Sequence, residues 1–146
     1  MDREEQSRFD AVIRRINELS GVYRNAAAQS GLSVNEFWVW YALMSEGREL
    51  TQQEICGLCG LPKQTVNTIV RGMVRQKRVT LEKMPLDRSR KQIHLTPAGR
   101  AFGEALMAST MAAERRAFGA LSEDAQLGAL RFLDEYLPGL RRAMEG

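Results

Sequence analysis

A mainly α-helical fold with one small antiparallel β-hairpin is what this 146-residue sequence predicts, and three observations predict it. Apolar residues recur at three- and four-residue spacing through most of the chain, the period of one helix face. That period gives way to strict alternation only over residues 79–83 and 91–95, the pattern of two short strands covered on one side. Just before them, two helix signals are separated by a turn containing Gly57 and Gly60. The length is that of one domain on the usual prior of ~100–200 residues, and 44% hydrophobic residues suffice for one modest core.

The elements follow in order. Phe9, Val12, Ile13, Ile16, Leu19, Tyr23 and Ala26 line one face of a first helix that Gly31 stops. Ser33-Val-Asn-Glu36 has the form of a capping box, in which hydroxyl and carboxylate each satisfy an unpaired backbone N–H, and it opens a second helix, rich in aromatics, to about Ser45. Thr51-Gln-Gln-Glu54 repeats the box and opens a short helix ending between Gly57 and Gly60. Pro62 suits the first turn of the next helix, where its missing N–H would be unpaired anyway. Val66, Ile69, Val70, Met73 and Val74 should face inward from that helix.

A hairpin follows, with Met84-Pro-Leu-Asp-Arg-Ser-Arg90 as its tip. Thr96-Pro97 then caps and starts a long helix through Phe102, Ala105 and Leu106 towards Leu121, and Ser122-Glu-Asp124 caps the last one. Leu127, Leu130, Leu133, Leu137 and Leu140 form a nearly heptad seam on it, and Pro138 should kink or restart it. Two helices joined by a tight turn and followed by a hairpin make a winged helix-turn-helix, flanked here by long N- and C-terminal helices. Residues 1–146 thus read as one domain: a winged helix-turn-helix lobe over 33–97, for which the charge distribution points to DNA binding, and a helical region over 1–30 and 98–146 whose apolar seams are those of a dimerisation region.

Charge distribution points to a partner. The net charge of +3 hides an arrangement: residues 62–100 hold 10 basic and 2 acidic residues, while 1–61 hold 6 and 9 and 101–146 hold 5 and 7. The whole excess lies on the second helix of the motif and the hairpin. Clustered Lys and Arg neutralise phosphates and release counterions, the sequence-independent part of DNA affinity. Lys63, Gln64, Thr65, Asn67, Thr68 and Arg71 on the helix are candidates to reach base edges from a major groove, and Arg88, Arg90 and Lys91 on the hairpin are further DNA contacts. Double-stranded DNA is therefore the expected partner.

Other classes recede. No window approaches ~18 consecutive apolar residues, and the acidic start MDREEQSRFD does not read as a signal peptide, so a cytoplasmic protein with no membrane partner is expected. His94 is the only histidine, and no GxSxG, GxxxxGK[ST], HExxH or GxGxxG pattern occurs. Neither an enzyme, a cofactor nor a metal site is expected. His94 reads as a plain surface or phosphate-adjacent residue on the polar face of its strand.

Leu50-Thr-Gln-Gln-Glu-Ile55, Gln64-Thr-Val66, and Asp87-Arg-Ser-Arg-Lys91 running into Leu95-Thr-Pro-Ala-Gly99 resemble the MarR family of bacterial transcription regulators. The resemblance implies six helices, a short three-stranded sheet, and a homodimer whose terminal helices interlock while two winged helices meet a pseudo-palindromic operator, usually in repression. It also implies that a wing-tip arginine enters the minor groove. Ser89 stands where that arginine is expected, leaving Arg88 and Arg90 as candidates, with Asp87 orienting the wing arginines by a charge-assisted bond. The leucine seams of the terminal helices exceed what a lone small domain buries, as a two-fold dimer requires.

Family members commonly take small aromatic or phenolic effectors in a cleft between dimer helices and DNA-binding lobe. Tyr23, Arg24, Phe37, Trp38, Tyr41 and Met44 are the candidates to line it, with Arg24 suited to a carboxylate; the competing reading is core packing. Cys56 and Cys59 form a C-x-x-C pair, so a dimeric thiol redox sensor or protein-interaction module is the alternative function. Against it, no activating basic neighbour is evident, and Cys56 reads as a small buried hydrophobe.

Overall fold

The computed structural model describes all residues 1–146. It contains α1 (Arg3–Ser30), α2 (Val34–Ser45), β1 (Leu50–Thr51), α3 (Gln52–Cys59), α4 (Lys63–Arg75), β2 (Val79–Lys83), β3 (Lys91–Leu95), α5 (Pro97–Gly119) and α6 (Glu123–Glu145). Two compact units are present, Met1–Met107 and Ala108–Gly146. No helix is long and apolar enough to cross a membrane.

Capping sets most helix ends. Asp2 accepts from the Glu5 N–H and Glu5 returns the bond to the Asp2 N–H, a box that starts α1. At α2 the expected box is only half formed: Ser33 Oγ accepts from the Glu36 N–H at 3.2 Å, and the Glu36 carboxylate does not reach back. At α3 it is complete, and it satisfies the buried Thr51, whose N–H and hydroxyl both donate to Glu54 while its oxygen accepts the Glu54 N–H. Gly60 closes α3 in the left-handed region at φ 62, a conformation that glycine adopts without penalty. Pro62 is the N-cap of α4, extended at ψ 148, rather than its first helical residue.

The two strands of the hairpin pair with Val79 opposite Leu95 and Lys83 opposite Lys91, where the alternation places them. A third strand that alternation alone does not reveal, β1, pairs with the other side of β3 through Leu50 and Ile93, giving the order β1-β3-β2. This is the three-stranded sheet that the resemblance implied.

The core of the first unit gathers Phe37, Val39 and Trp40 of α2, Ile55 of α3, Val66, Val70 and Met73 of α4, Leu50, Val79 and Ile93 of the sheet, and Met107 of α5. Ile69 is half-buried and Val74 is 38% exposed, so the inward face of α4 is narrower than its spacing suggests. Val74 lies where the helix unwinds into a Schellman turn, with the Arg78 N–H bonding Met73 O, the Lys77 N–H bonding Val74 O, and Lys77 itself at φ 58.

The next join is tight. Thr96 donates its hydroxyl to Lys77 O at 2.7 Å and its N–H to Arg78 O at 3.0 Å, and accepts the Gly99 N–H. The Arg78 guanidinium lies 3.5 Å from the centre of the Phe102 ring, which in turn sits 5.0 Å from Trp40. These contacts fasten the start of α5 to the foot of the hairpin, whose Val79 and Ile93 are themselves in the core.

In the second unit, Ser122 caps α6 by accepting the Ala125 N–H, and the Gln126 amide closes the turn onto Phe118 O and Leu121 O. Pro138 lies inside α6, which is continuous from Glu123 to Glu145, so of the two expected outcomes, a kink or a restart, the restart does not occur. No residue of α6 is buried. Its seam is open, with Leu127 51% and Leu130 57% exposed. On α1 only Ala27 is buried, and Phe9, Ile16, Leu19 and Val22 are exposed.

Candidate nucleic-acid interface

The amphipathic α4 presents opposite chemistries on two faces. Val66, Val70 and Met73 anchor it in the core, so Lys63, Gln64, Thr68 and Arg71 are turned outward, while Thr65 and Asn67 are half-buried at the margin. The Thr68 hydroxyl donates to Gln64 O at 3.0 Å, which spends its proton and leaves its lone pairs to accept. Pro62 supplies no side-chain cap, so the first-turn amides of α4 stay open beside Lys63. Such amides and the positive end of the helix dipole favour an anion. An open groove of about 520 Å³ runs between α2 and α4, lined by Ser33, Asn35, Pro62, Gln64, Thr65, Thr68 and Ile69.

The wing tip is a self-braced turn. Met84 N–H donates to Arg90 O at 3.0 Å, Arg90 N–H to Asp87 O at 3.1 Å, and both the backbone N–H and the hydroxyl of Ser89 donate to Asp87 Oδ1, at 3.1 and 2.5 Å. These bonds to Ser89, foremost the hydroxyl's, hold the Asp87 carboxyl below the usual carboxylate range. The partner of Asp87 is thus Ser89 and not an arginine as expected.

The two wing arginines separate. Arg90 Nη2 donates to Gln53 Oε1 of α3 at 3.3 Å, tying the wing back to the first helix of the motif. Arg88 is exposed, with no hydrogen bond or ion pair, and Lys91 is exposed at the start of β3. Nothing in the sequence signals Gln53, because its partner is 37 positions away.

A further brace lies at the base of α3. Arg48 Nη1 is 2.5 Å from Glu54 Oε2, and this bond lowers the Glu54 pKa against a smaller opposing effect of burial. Of the two readings of His94, the plain surface residue does not hold: it is half-buried, with Nε2 3.4 Å from Glu82 and Nδ1 3.9 Å from Glu49.

The effector candidates fall into two groups. Tyr23, Trp38 and Tyr41 form one half-buried aromatic cluster, with ring centres 4.8 Å apart for Tyr23–Trp38 and 5.3 Å for Trp38–Tyr41. Phe37 is fully buried in the core, Met44 lies where a side chain at Gly103 of α5 would strike it, and Arg24 is exposed on α1.

Cys56 and Cys59 are free thiols, both half-buried, so Cys56 is less enclosed than a core hydrophobe. Burial, with a smaller push from Cys56, raises the Cys59 thiol to about 11, and its Sγ donates to Trp38 O at 3.3 Å. This is the reverse of a thiol activated for redox chemistry.

A helix pair with an exposed polar second helix, followed by a basic hairpin on a three-stranded sheet, defines a winged helix-turn-helix protein. Residues 30–88, from the end of α1 to the wing tip, match the model of the MarR family. The whole fold recurs in NMB1585, a MarR family regulator from Neisseria meningitidis, at TM-score 0.81 and 25% identity over 94% of this chain and 96% of that one. It recurs in MepR of S. aureus in its DNA-binding conformation, at 0.74 and 22% over 90% and 98%. CouR from Rhodococcus jostii, bound to p-coumaroyl-CoA, matches at 0.65 and 20% over 86% and 90%. A comparison with curated protein sequences gives no significant match.

Proposed function

We propose that the chain is a sequence-specific, DNA-binding transcriptional regulator that acts as a homodimer on a pseudo-palindromic operator and represses by occupying it. The observation that carries this reading is the convergence, within one compact unit, of the outward polar face of α4 with the unpaired Arg88 at the wing tip. In this reading α4 enters the major groove with Gln64, Asn67 and Thr68 towards base edges and with Lys63 and Arg71 towards phosphates. Arg88 enters the adjacent minor groove, Arg90 braces the wing from Gln53, and Lys91 contacts the backbone.

Base reading and phosphate contact separate experimentally. Gln64→Ala and Asn67→Ala should each weaken binding to a preferred duplex by about 1–3 kcal/mol while changing binding to random DNA less. Fluorescence anisotropy on both duplexes measures this. Equal losses on the two would remove α4 from sequence reading.

The dimer in this reading covers the exposed apolar faces of α1 and α6. Burying one leucine is worth about 1.5–3 kcal/mol, and a two-fold interface counts every contact twice. Leu130→Glu should therefore shift the species seen by light scattering to monomer and weaken operator binding with it. An undiminished dimer would locate the interface elsewhere.

Effector response completes the proposal. CouR, with the same fold, is bound to p-coumaroyl-CoA, and in this chain the Tyr23, Trp38 and Tyr41 cluster suits an aromatic group, with the exposed Arg24 of α1 proposed for a carboxylate. Phe37, its ring centre 5.8 Å from that of Trp38, supports that cluster from the core, while Met44 lies against Gly103 of α5. A ligand can release DNA only by favouring a dimer whose recognition helices no longer match grooves spaced ~34 Å apart.

A further inference from the structure

The wing tip carries a side chain that phosphate neutralisation does not use. Leu86 is 100% exposed, and it precedes the Asp87–Ser89 lock by one residue. The turn is closed by Met84–Arg90, Arg90–Asp87 and Ser89–Asp87 bonds, and Pro85 restricts the backbone just before it. None of these involves the Leu86 side chain, so the turn is ordered without it. Isolated apolar residues on a surface are ordinary. This one is distinguished by its place, on a braced projection two residues from the unpaired Arg88 and flanked by Lys83 and Lys91 at the ends of the strands.

We propose that Leu86 is an apolar reading element for the minor groove. Resting on the DNA-binding function above, the proposal has Arg88 carry the tip into the groove while the Leu86 side chain packs against its sugar walls and floor and selects against G·C pairs there. In the minor groove A·T and T·A pairs present only acceptors, whereas G·C adds the guanine 2-amino donor. A leucine laid over that amino group strips its water and offers no acceptor, leaving a desolvated donor unsatisfied. An apolar contact also releases no counterions, so it alters affinity and preference without altering the salt dependence that Arg88 sets.

The test uses the full chain and a duplex that the wild-type protein selects from a random library, at roughly 0.15 M salt. At each A·T pair flanking the major-groove half-site, G·C and inosine·C replacements are compared; inosine keeps the major-groove face of G but lacks the 2-amino group. Wild type should bind the G·C duplex about ten-fold more weakly at one or two of these positions and recover most of that loss on inosine·C. Leu86→Ala should bind the parent duplex several-fold more weakly with an unchanged salt slope, and should separate G·C from inosine·C by less than about two-fold. Leu86→Met should behave as wild type, and Arg88→Ala should lower the salt slope.

Undiminished discrimination in Leu86→Ala would overturn the proposal and assign the preference to Arg88. A reduced salt slope or a changed oligomeric mass in Leu86→Ala would overturn it too, the first as a collapsed tip and the second as a protein contact. A wild-type chain that selects no sequence, with Gln64→Ala equally indifferent, would instead fail the DNA-binding reading itself.

Discussion

Gly99→Ala should destabilise the protein by about 3–5 kcal/mol, at the top of the range for single substitutions. A Cβ at this position would lie 1.8 Å from Arg78 O and 2.7 Å from Arg78 C. Both are backbone atoms, so no side-chain rotation relieves the overlap; either α5 or the start of β2 must move. The same Arg78 carbonyl accepts from the Thr96 N–H, and Thr96 also bonds Lys77 O and caps Gly99. Separating the two strands of chain enough to admit a methyl group therefore breaks the cap as well as the contact.

Gly57→Ala is the matched control. It makes the same chemical change in a helix with nothing within 4 Å of the new Cβ, and should stabilise by up to about 1 kcal/mol through helix propensity. Urea unfolding followed by the fluorescence of Trp38 and Trp40, at one protein concentration because assembly contributes to apparent stability, measures both. A loss below about 1 kcal/mol for Gly99→Ala would mean that the join between α5 and β2 yields readily.

Local periodicity carried the fold a long way, and its failures have a common physical form. The hairpin strands end at Val79, Lys83, Lys91 and Leu95 because alternation is a property of neighbours in sequence. The two-residue β1 is too short to show any period and exists only through its pairing with β3. Ser33 and Glu36 have the right spacing for a reciprocal cap, but spacing does not fix the glutamate rotamer. Val74 continues the apolar period of α4 in its last turn, where its carbonyl already takes part in the closing turn and its side chain is 38% exposed.

The same division runs through the site. The outward residues of α4 were legible because its inward face was. The sequence suggests a charged partner for Asp87, yet a serine two residues on supplies an entirely local bond, the usual preference of an Asp side chain in a turn. The Arg90–Gln53 bond had no local signature, so the sequence left the two arginines equivalent and the geometry makes them different. The apolar stripes of α1 and α6 were readable as stripes, but what covers them depends on assembly, which periodicity does not encode.

That difference between the arginines gives the second large effect. If Arg88 enters the groove as proposed, Arg88→Ala should weaken DNA binding by about 1–3 kcal/mol and lower the slope of log affinity against log salt by about one, because an unpaired cation is then withdrawn from the phosphates. Arg90→Ala should leave the slope nearly unchanged and weaken binding less, since its guanidinium is occupied by Gln53 and its loss loosens the wing rather than withdrawing a groove contact. Gln53→Ala should then reproduce the Arg90→Ala phenotype, and the double variant should be no worse than either single one, the non-additivity expected of two residues that act through one bond. Anisotropy titrations of the four variants across a salt series distinguish the arrangements. A silent Arg88→Ala with a reduced slope for Arg90→Ala would put Arg90 in the groove and require the Gln53 bond to break on binding. Additive losses for Gln53→Ala and Arg90→Ala would show that Gln53 meets the DNA independently.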